Sequence, residues 1–212
     1  MPAIQDVWFE NAPMGQRARL VTLPAETAGR SFVLEYVNKP FTGESAVPSH
    51  LHPTYSETFE ILAGQARYRL GRRTLQAGPG DRVVLPAGLP HVHPWSDSNE
   101  ELHVLQTAEA HPPDVRGLTA SLQGAITIFG LAGAGRVNRN GVPNLLQVAV
   151  IIRETMPATY LAGVPIPLQR LLFGTLAAVG RLLGYRPAYP EYGVLTARGL
   201  EKRGAAYWPG AI

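Results

Sequence analysis

The chain has 212 residues, 45% of them hydrophobic and 17% charged, which is the balance of a folded globular protein and excludes a disordered one. Its formal charge of +3 comes almost wholly from scattered arginines, with lysine only at Lys39 and Lys202, and no basic run interleaved with aromatics points to a nucleic-acid partner. Cysteine is absent, which excludes disulfides, thiolate metal sites, iron–sulfur clusters and cysteine nucleophiles.

The first ten residues, Met1 to Glu10, have neither a basic flank nor an apolar core. They therefore read as no signal peptide, and a cytoplasmic protein is expected. Residues 31–110 alternate in the manner of strands. Phe32, Leu34 and Tyr36 share one face; Glu57, Phe59 and Ile61 share another; Ala66, Tyr68 and Leu70 lie opposite Arg67 and Arg69. Turn signals fall at Asn38–Pro40, Gly43, Gly64, Gly71–Arg73, Gly78–Gly80 and Pro86–Pro90. Short strands so regularly punctuated predict an antiparallel sandwich or barrel.

The character changes after His111-Pro112-Pro113. The expected division is a β domain over 1–112 and a helical C-terminal extension over 113–212. Residues 117–135 predict a Gly/Ala-rich helix. Asn144 is placed to cap a second helix over Leu145–Glu154. A third runs from Pro167 to Leu183, with Gly184 just past its end. Its stripe of Leu168, Leu171, Leu172, Leu176, Val179, Leu182 and Leu183 is expected to cover the barrel or a dimer partner. Membrane contact is not expected to be its role, and only ten uncharged residues separate Arg170 from Arg181, too few to span a bilayer. The tail after Tyr192 reads as irregular. Gly130, Gly133 and Gly135 carry the order GxxGxG, not the GxGxxG of a phosphate loop, and no βαβ unit follows them.

The chemistry gathers between residues 43 and 95. His50 and His52 stand two apart on an extended segment and so point the same way. Glu57 and His91 reach them only if the chain folds back on itself. Three imidazoles and a carboxylate form a mixed nitrogen/oxygen set that suits a divalent transition metal. The spacing is Gly43, six residues, His50-Leu51-His52, four residues, Glu57, six residues, Gly64, followed later by Gly80, Pro86, Gly88 and His91. This resembles the two motifs of the cupin family over roughly residues 20–110. The first gap is one residue longer than the family's, and Trp95 stands where the family has asparagine.

The resemblance implies a mainly β, small jelly-roll barrel holding one divalent transition metal (Fe, Mn, Ni, Cu or Zn) on His50, His52, Glu57 and His91. It also implies a homodimer and a small-molecule substrate or ligand. Phe59, Tyr68, His93 and Trp95 are the candidate substrate contacts. Three of them have a structural alternative: a strand-end position for His93, and core packing for Tyr68 and Trp95. Glu60 has the opposite parity and is expected to face solvent, while His103 is left unassigned. The function expected first is a metal-dependent dioxygenase acting on an aromatic or enol-type molecule, with Glu57 as the catalytic base, as in quercetinase-like cupins. A non-redox isomerase, cyclase or lyase and a non-catalytic binder are the alternatives. Because bound imidazole must be neutral, metal affinity is expected to weaken below about pH 6.5, the ordinary histidine pKa.

Overall fold

A computed structural model describes residues 7–45, 47–156, 158–196 and 199–201. Met1 to Asp6, part of the stretch read as no signal peptide, and the tail beyond Glu201 lie outside the described residues.

Two antiparallel sheets face each other. The first holds β1 (Trp8–Asn11), β2 (Gln16–Thr22), β3 (Ser31–Asn38), β5 (Tyr55–Ala63), β8 (Arg82–Leu85) and β10 (Leu102–Ala110), in the order β1-β2-β3-β10-β5-β8. The second holds β4 (His50–Leu51), β6 (Ala66–Leu70), β7 (Arg73–Ala77), β9 (His91–Ser96) and β11 (Tyr160–Leu161), in the order β11-β4-β9-β6-β7. This is the mainly β jelly roll with C-terminal helices that the resemblance implies. The inner faces bury alternate residues, as β10 shows in its regular buried/half-buried pattern.

Phe59, Ile61, Val83, Leu85, Leu102 and Val104 fill one end of the barrel. The other end is filled jointly by strands and helix. Phe9, Leu20, Phe32, Leu34 and Ala108 pack in one cluster with Leu118, Leu122, Ile126 and Phe129 of α1 (Val115–Gly133). Asp114 caps α1 by accepting from the Gly117 N–H at 2.8 Å. The glycine-rich run at 130–135 lies at the C-terminal end of this helix, with Gly130 against Tyr192.

Asn144 caps α2 (Leu145–Thr155) as predicted, its side-chain oxygen accepting from the Gln147 N–H at 3.1 Å. The third helix, α3 (Ile166–Leu182), packs against α2 with a face that shares only Leu176 with the apolar stripe. Gln169, Phe173, Ala177 and Gly180 turn inward. Gly180 sits so close to α2 that a Cβ there would lie 2.9 Å from Val150 and 3.0 Å from the Leu146 carbonyl. Small residues let the helices approach, so the stripe apart from Leu176 points outward instead: Leu171 is 69% exposed and Leu182 88%. The stripe therefore does not cover the barrel. The tail is also more regular than expected, since β12 (Val194–Thr196) and β13 (Gly199–Glu201) form a hairpin. Strand β11, which hydrogen-bonds to β4, was not legible either. No helix among the described residues is long and apolar enough to cross a membrane.

Candidate metal centre

Strand register builds the site. His50 of β4 lies directly opposite His91 of β9, and His52 follows just beyond the strand. The Gly88 N–H donates to the His52 carbonyl at 2.8 Å, which pins the turn before β9 to the segment carrying the first two histidines. Glu57 reaches in from β5 on the facing sheet. His93, two residues after His91, shares its inward parity. One ligand atom from each of His50, His52, Glu57, His91 and His93 lies within 4.8 Å of all the others. The four residues expected to hold a metal are thus brought together, and His93 stands with them.

The hydrogen bonds fix which ring nitrogens face the centre. The Nδ1–H groups of His50 and His91 donate to the carbonyls of Pro48 (3.0 Å) and Leu89 (2.8 Å). A carbonyl only accepts, so each neutral ring turns the lone pair of its Nε2 toward the cluster. Glu57 Oε2 lies 3.3 Å from His91 Nε2 and 3.6 Å from His52 Nε2. Both of those nitrogens are buried without a hydrogen-bond partner among the described residues. The His93 Nε2–H donates to Glu57 Oε2 at 2.8 Å, with His50 Nε2 3.2 Å away. The lone pair of His91 Nε2 facing the Glu57 carboxylate in a buried site is unfavourable unless a cation stands between them. The donor set therefore fits a divalent transition ion. The cluster has the chemistry of a His/Glu metal-binding site.

Burial sets the protonation states. It lowers the His50 imidazole to about 3, helped by His93 and His52. It lowers His52 to about 4 against the opposing pull of Glu57. Burial alone would raise Glu57, but the surrounding His93 and His52 rings outweigh it and hold this carboxyl well below the usual range. His50 and His52 therefore stay neutral, and available to a metal, far below the ordinary histidine pKa. The expected loss of metal shifts to lower pH accordingly: metal content should fall below about pH 6.5 only as His50 and His52 take up protons. Metal content after gel filtration at each pH checks this, and a loss centred near pH 6.5 would contradict it.

The remaining candidates separate. Phe59, His93 and Trp95 line a cavity of about 620 Å³ together with Tyr36 and Phe41, and the Trp95 indole donates to the Gly43 carbonyl at 3.1 Å. Tyr68 is not brought to the cluster or to this cavity; it packs on the barrel core beside Leu70. A register shift between Arg67 and Arg69 sits there, opposite the stretch of β9 that holds Pro94. Proline lacks the N–H that regular pairing needs. His103 lies on the outer face and contacts Glu35 at 2.7 Å. Glu60 is exposed, as expected.

Other residues at the centre escaped the sequence reading. Gln106 donates to Glu57 Oε1 at 2.6 Å. Tyr55 stacks on His52 with ring centroids 4.2 Å apart. Thr159, from the C-terminal extension, lies 3.2 Å from His52 Nδ1 through its hydroxyl. Tyr36 borders two cavities, and burial together with Glu57 pushes its phenol up, so it stays protonated. Alternation places Tyr36 inside, but only the folded chain shows its nearness to Glu57.

The model of the Cupin domain family matches residues 42–107. The probable oxidoreductase virH of Hypocrea virens is 30% identical over 185 residues, 82% of this chain and 82% of that protein. Two solved structures are similar with lower coverage. The polyketide cyclase RemF of Streptomyces resistomycificus is 22% identical over 51% of this chain and 78% of its own, with a TM-score of 0.41. A predicted oxalate decarboxylase of Thermotoga maritima is 17% identical over 45% of this chain and 80% of its own, also with a TM-score of 0.41.

Proposed function

This chain belongs to the cupin superfamily, and from that membership we propose that it is a metal-dependent oxidoreductase, a dioxygenase of a small aromatic or enol-bearing molecule. The observation that carries the reading is the buried cluster in which the Nε2 atoms of His52 and His91 face Glu57 with no hydrogen-bond partner of their own. The similarity to a probable oxidoreductase over most of both chains supports the redox form over the non-redox one.

His50, His52, Glu57 and His91 would hold the ion, with His93 beside them. Such an ion supplies a Lewis acid and, as iron or manganese, a one-electron partner for dioxygen. The chain's own groups do the rest. Glu57, held ionised by the rings around it, is placed to take a proton from an enol or phenol. Gln106 holds its other oxygen and so fixes the direction from which that proton is received. Tyr36 keeps its phenolic proton and can donate to a developing oxyanion. Phe59 and Trp95 offer aromatic walls.

The test is oxygen uptake by iron- or manganese-loaded protein with a panel of flavonols and diketones. Uptake should occur with at least one compound and fall at least about 100-fold in Glu57→Gln, the lower bound for loss of a general base. Turnover that persists without oxygen would favour the isomerase, cyclase or lyase reading instead.

The same proposal includes a homodimer, supported by the outward leucine stripe of α3. Light scattering should give twice the chain mass, and Leu171→Glu with Leu182→Glu should return the monomer, because buried carboxylates on a contact face cost several kcal/mol, on the order of the contact itself. A wild-type monomer at micromolar concentration would remove the dimer.

A further inference from the structure

A second cavity, of about 450 Å³, opens from the metal cluster toward the helices. Its size falls within the range of roughly 300–1,000 Å³ typical of small-molecule sites. His50, His52, Glu57 and His93 form one end. The rest is built mostly by the extension. Ser121, Ala125 and Ile128 line it from α1, at the four- and three-residue steps of a single helix face. Val148, Ile151 and Ile152 line it from α2, and Phe173 from α3.

The polarity is one-sided. Among the residues lining this cavity there is no lysine or arginine, and Glu57 is the single carboxylate. Away from the metal, a di-anionic ligand such as a sugar phosphate would find no cationic side chain along the walls to offset its desolvation. An apolar body meets apolar walls along most of the length.

One further group points to a ligand. Gln106 is 3% exposed and lines this cavity. Its amide nitrogen is committed to the Glu57 carboxylate at 2.6 Å, which only accepts, so the carbonyl end is fixed as the free one. That carbonyl, Oε1, has no hydrogen-bond partner among the described residues. A buried acceptor left so costs free energy until a donor arrives.

We propose that the substrate of this centre is a neutral, largely hydrocarbon molecule whose hydroxyl or enol O–H meets Gln106 and Glu57 beside the His cluster while its body lies under α1 and α2. The C-terminal extension is then the element that selects the substrate. The inference rests on the proposed function only in taking the cluster as the reacting end.

The test uses the protein as purified and two fluorescent probes of nearly equal shape, 1-hydroxypyrene and 1-methylpyrene. Wild-type protein should bind the hydroxylated probe at least about 10-fold more tightly, the scale of one hydrogen bond to a buried group. Gln106→Leu should erase that preference while retaining binding of 1-methylpyrene. Ala125→Trp on α1 and Val148→Trp on α2 should each abolish binding of both probes and leave metal content and melting temperature at wild-type values. A large excess of glucose 6-phosphate should displace neither probe. Binding that survives both tryptophan variants would place the probe elsewhere, the α3 stripe included, and would overturn the proposal. So would failure of wild-type protein to bind either probe, or equal binding of the two. Selective probe binding by a protein that holds no metal and takes up no oxygen would leave the cavity assignment standing and sink the redox reading alone.

Discussion

Replacing His91 by alanine should empty the centre of metal, and His50→Ala should do the same. Both rings are set by backbone, not by mobile side chains. His50 and His91 face each other in register across β4 and β9, and each donates through Nδ1 to a carbonyl two residues earlier in its own turn. Such fixation turns a flexible imidazole into a pre-aimed ligand. Removing an outer partner of a metal ligand costs about 10–100-fold in affinity, so loss of the ligand itself should exceed the upper figure. Elemental analysis of the purified variants against wild type, near one metal per chain, reads this directly. A thermal melt supplies the control. Metal at 100 times its dissociation constant stabilises by about 2.7 kcal/mol, so the wild-type melting temperature should rise on loading while that of each variant stays put. His93→Ala separates two descriptions of the centre. Its Nε2–H is already directed at Glu57, and in the four-ligand arrangement its loss should spare the metal and depress turnover. Full occupancy in both His50→Ala and His91→Ala would refute the assignment. An empty His93→Ala would enlarge the ligand set to five.

Much of this centre was legible because its residues resemble the cupin motifs and because strand parity is a strict rule. Two histidines two apart must face one way, and the turn signals between them and His91 bring the chain back. The same parity puts His93 with His91, yet parity alone cannot say how deep a side chain sits. That depth depends on Glu57 arriving from the opposite sheet at 2.8 Å. Tyr68 shows the limit of the rule. Its inward parity holds, but the irregular pairing opposite Pro94 and its place among Leu70 and its neighbours keep it from the centre. The α3 stripe shows another limit. Periodicity reports that a helix has an apolar face, but Ala177 and Gly180 decide which face another helix can approach. Thr159, Ser121 and Val148 were invisible as site residues because nothing near them in sequence resembles a site. They matter only once the extension folds back over the barrel.

That folding back leads to the last prediction. Residues 1–112 expressed alone should fail to form the barrel, and the whole chain should unfold in a single transition. The shared cluster is the reason. Leu118, Leu122, Ile126 and Phe129 of α1 are buried against Phe9, Leu20, Phe32 and Leu34 of the sheet. The start of α1 is also keyed to the barrel: the Asp114 N–H donates to the Gly29 carbonyl at 2.8 Å. Gly29 has φ of +77°, and a Cβ on it would stand 2.5 Å from the Val115 nitrogen, so only glycine admits the helix there. Burying one large apolar side chain contributes about 1.5–3 kcal/mol, which puts the four from α1 at roughly 6–12 kcal/mol. The whole stability of a typical domain is about 5–15 kcal/mol. Deleting the extension thus removes a contribution as large as the margin itself and uncovers the sheet residues beneath it. Leu122→Asp, which buries an unpaired charge in the same cluster, should act in the same direction in the full chain. Soluble expression, circular dichroism and calorimetry of the truncated and full chains decide the matter. A truncated protein that is soluble, melts cooperatively and binds metal would show that the barrel stands alone and that the helices are a separable addition.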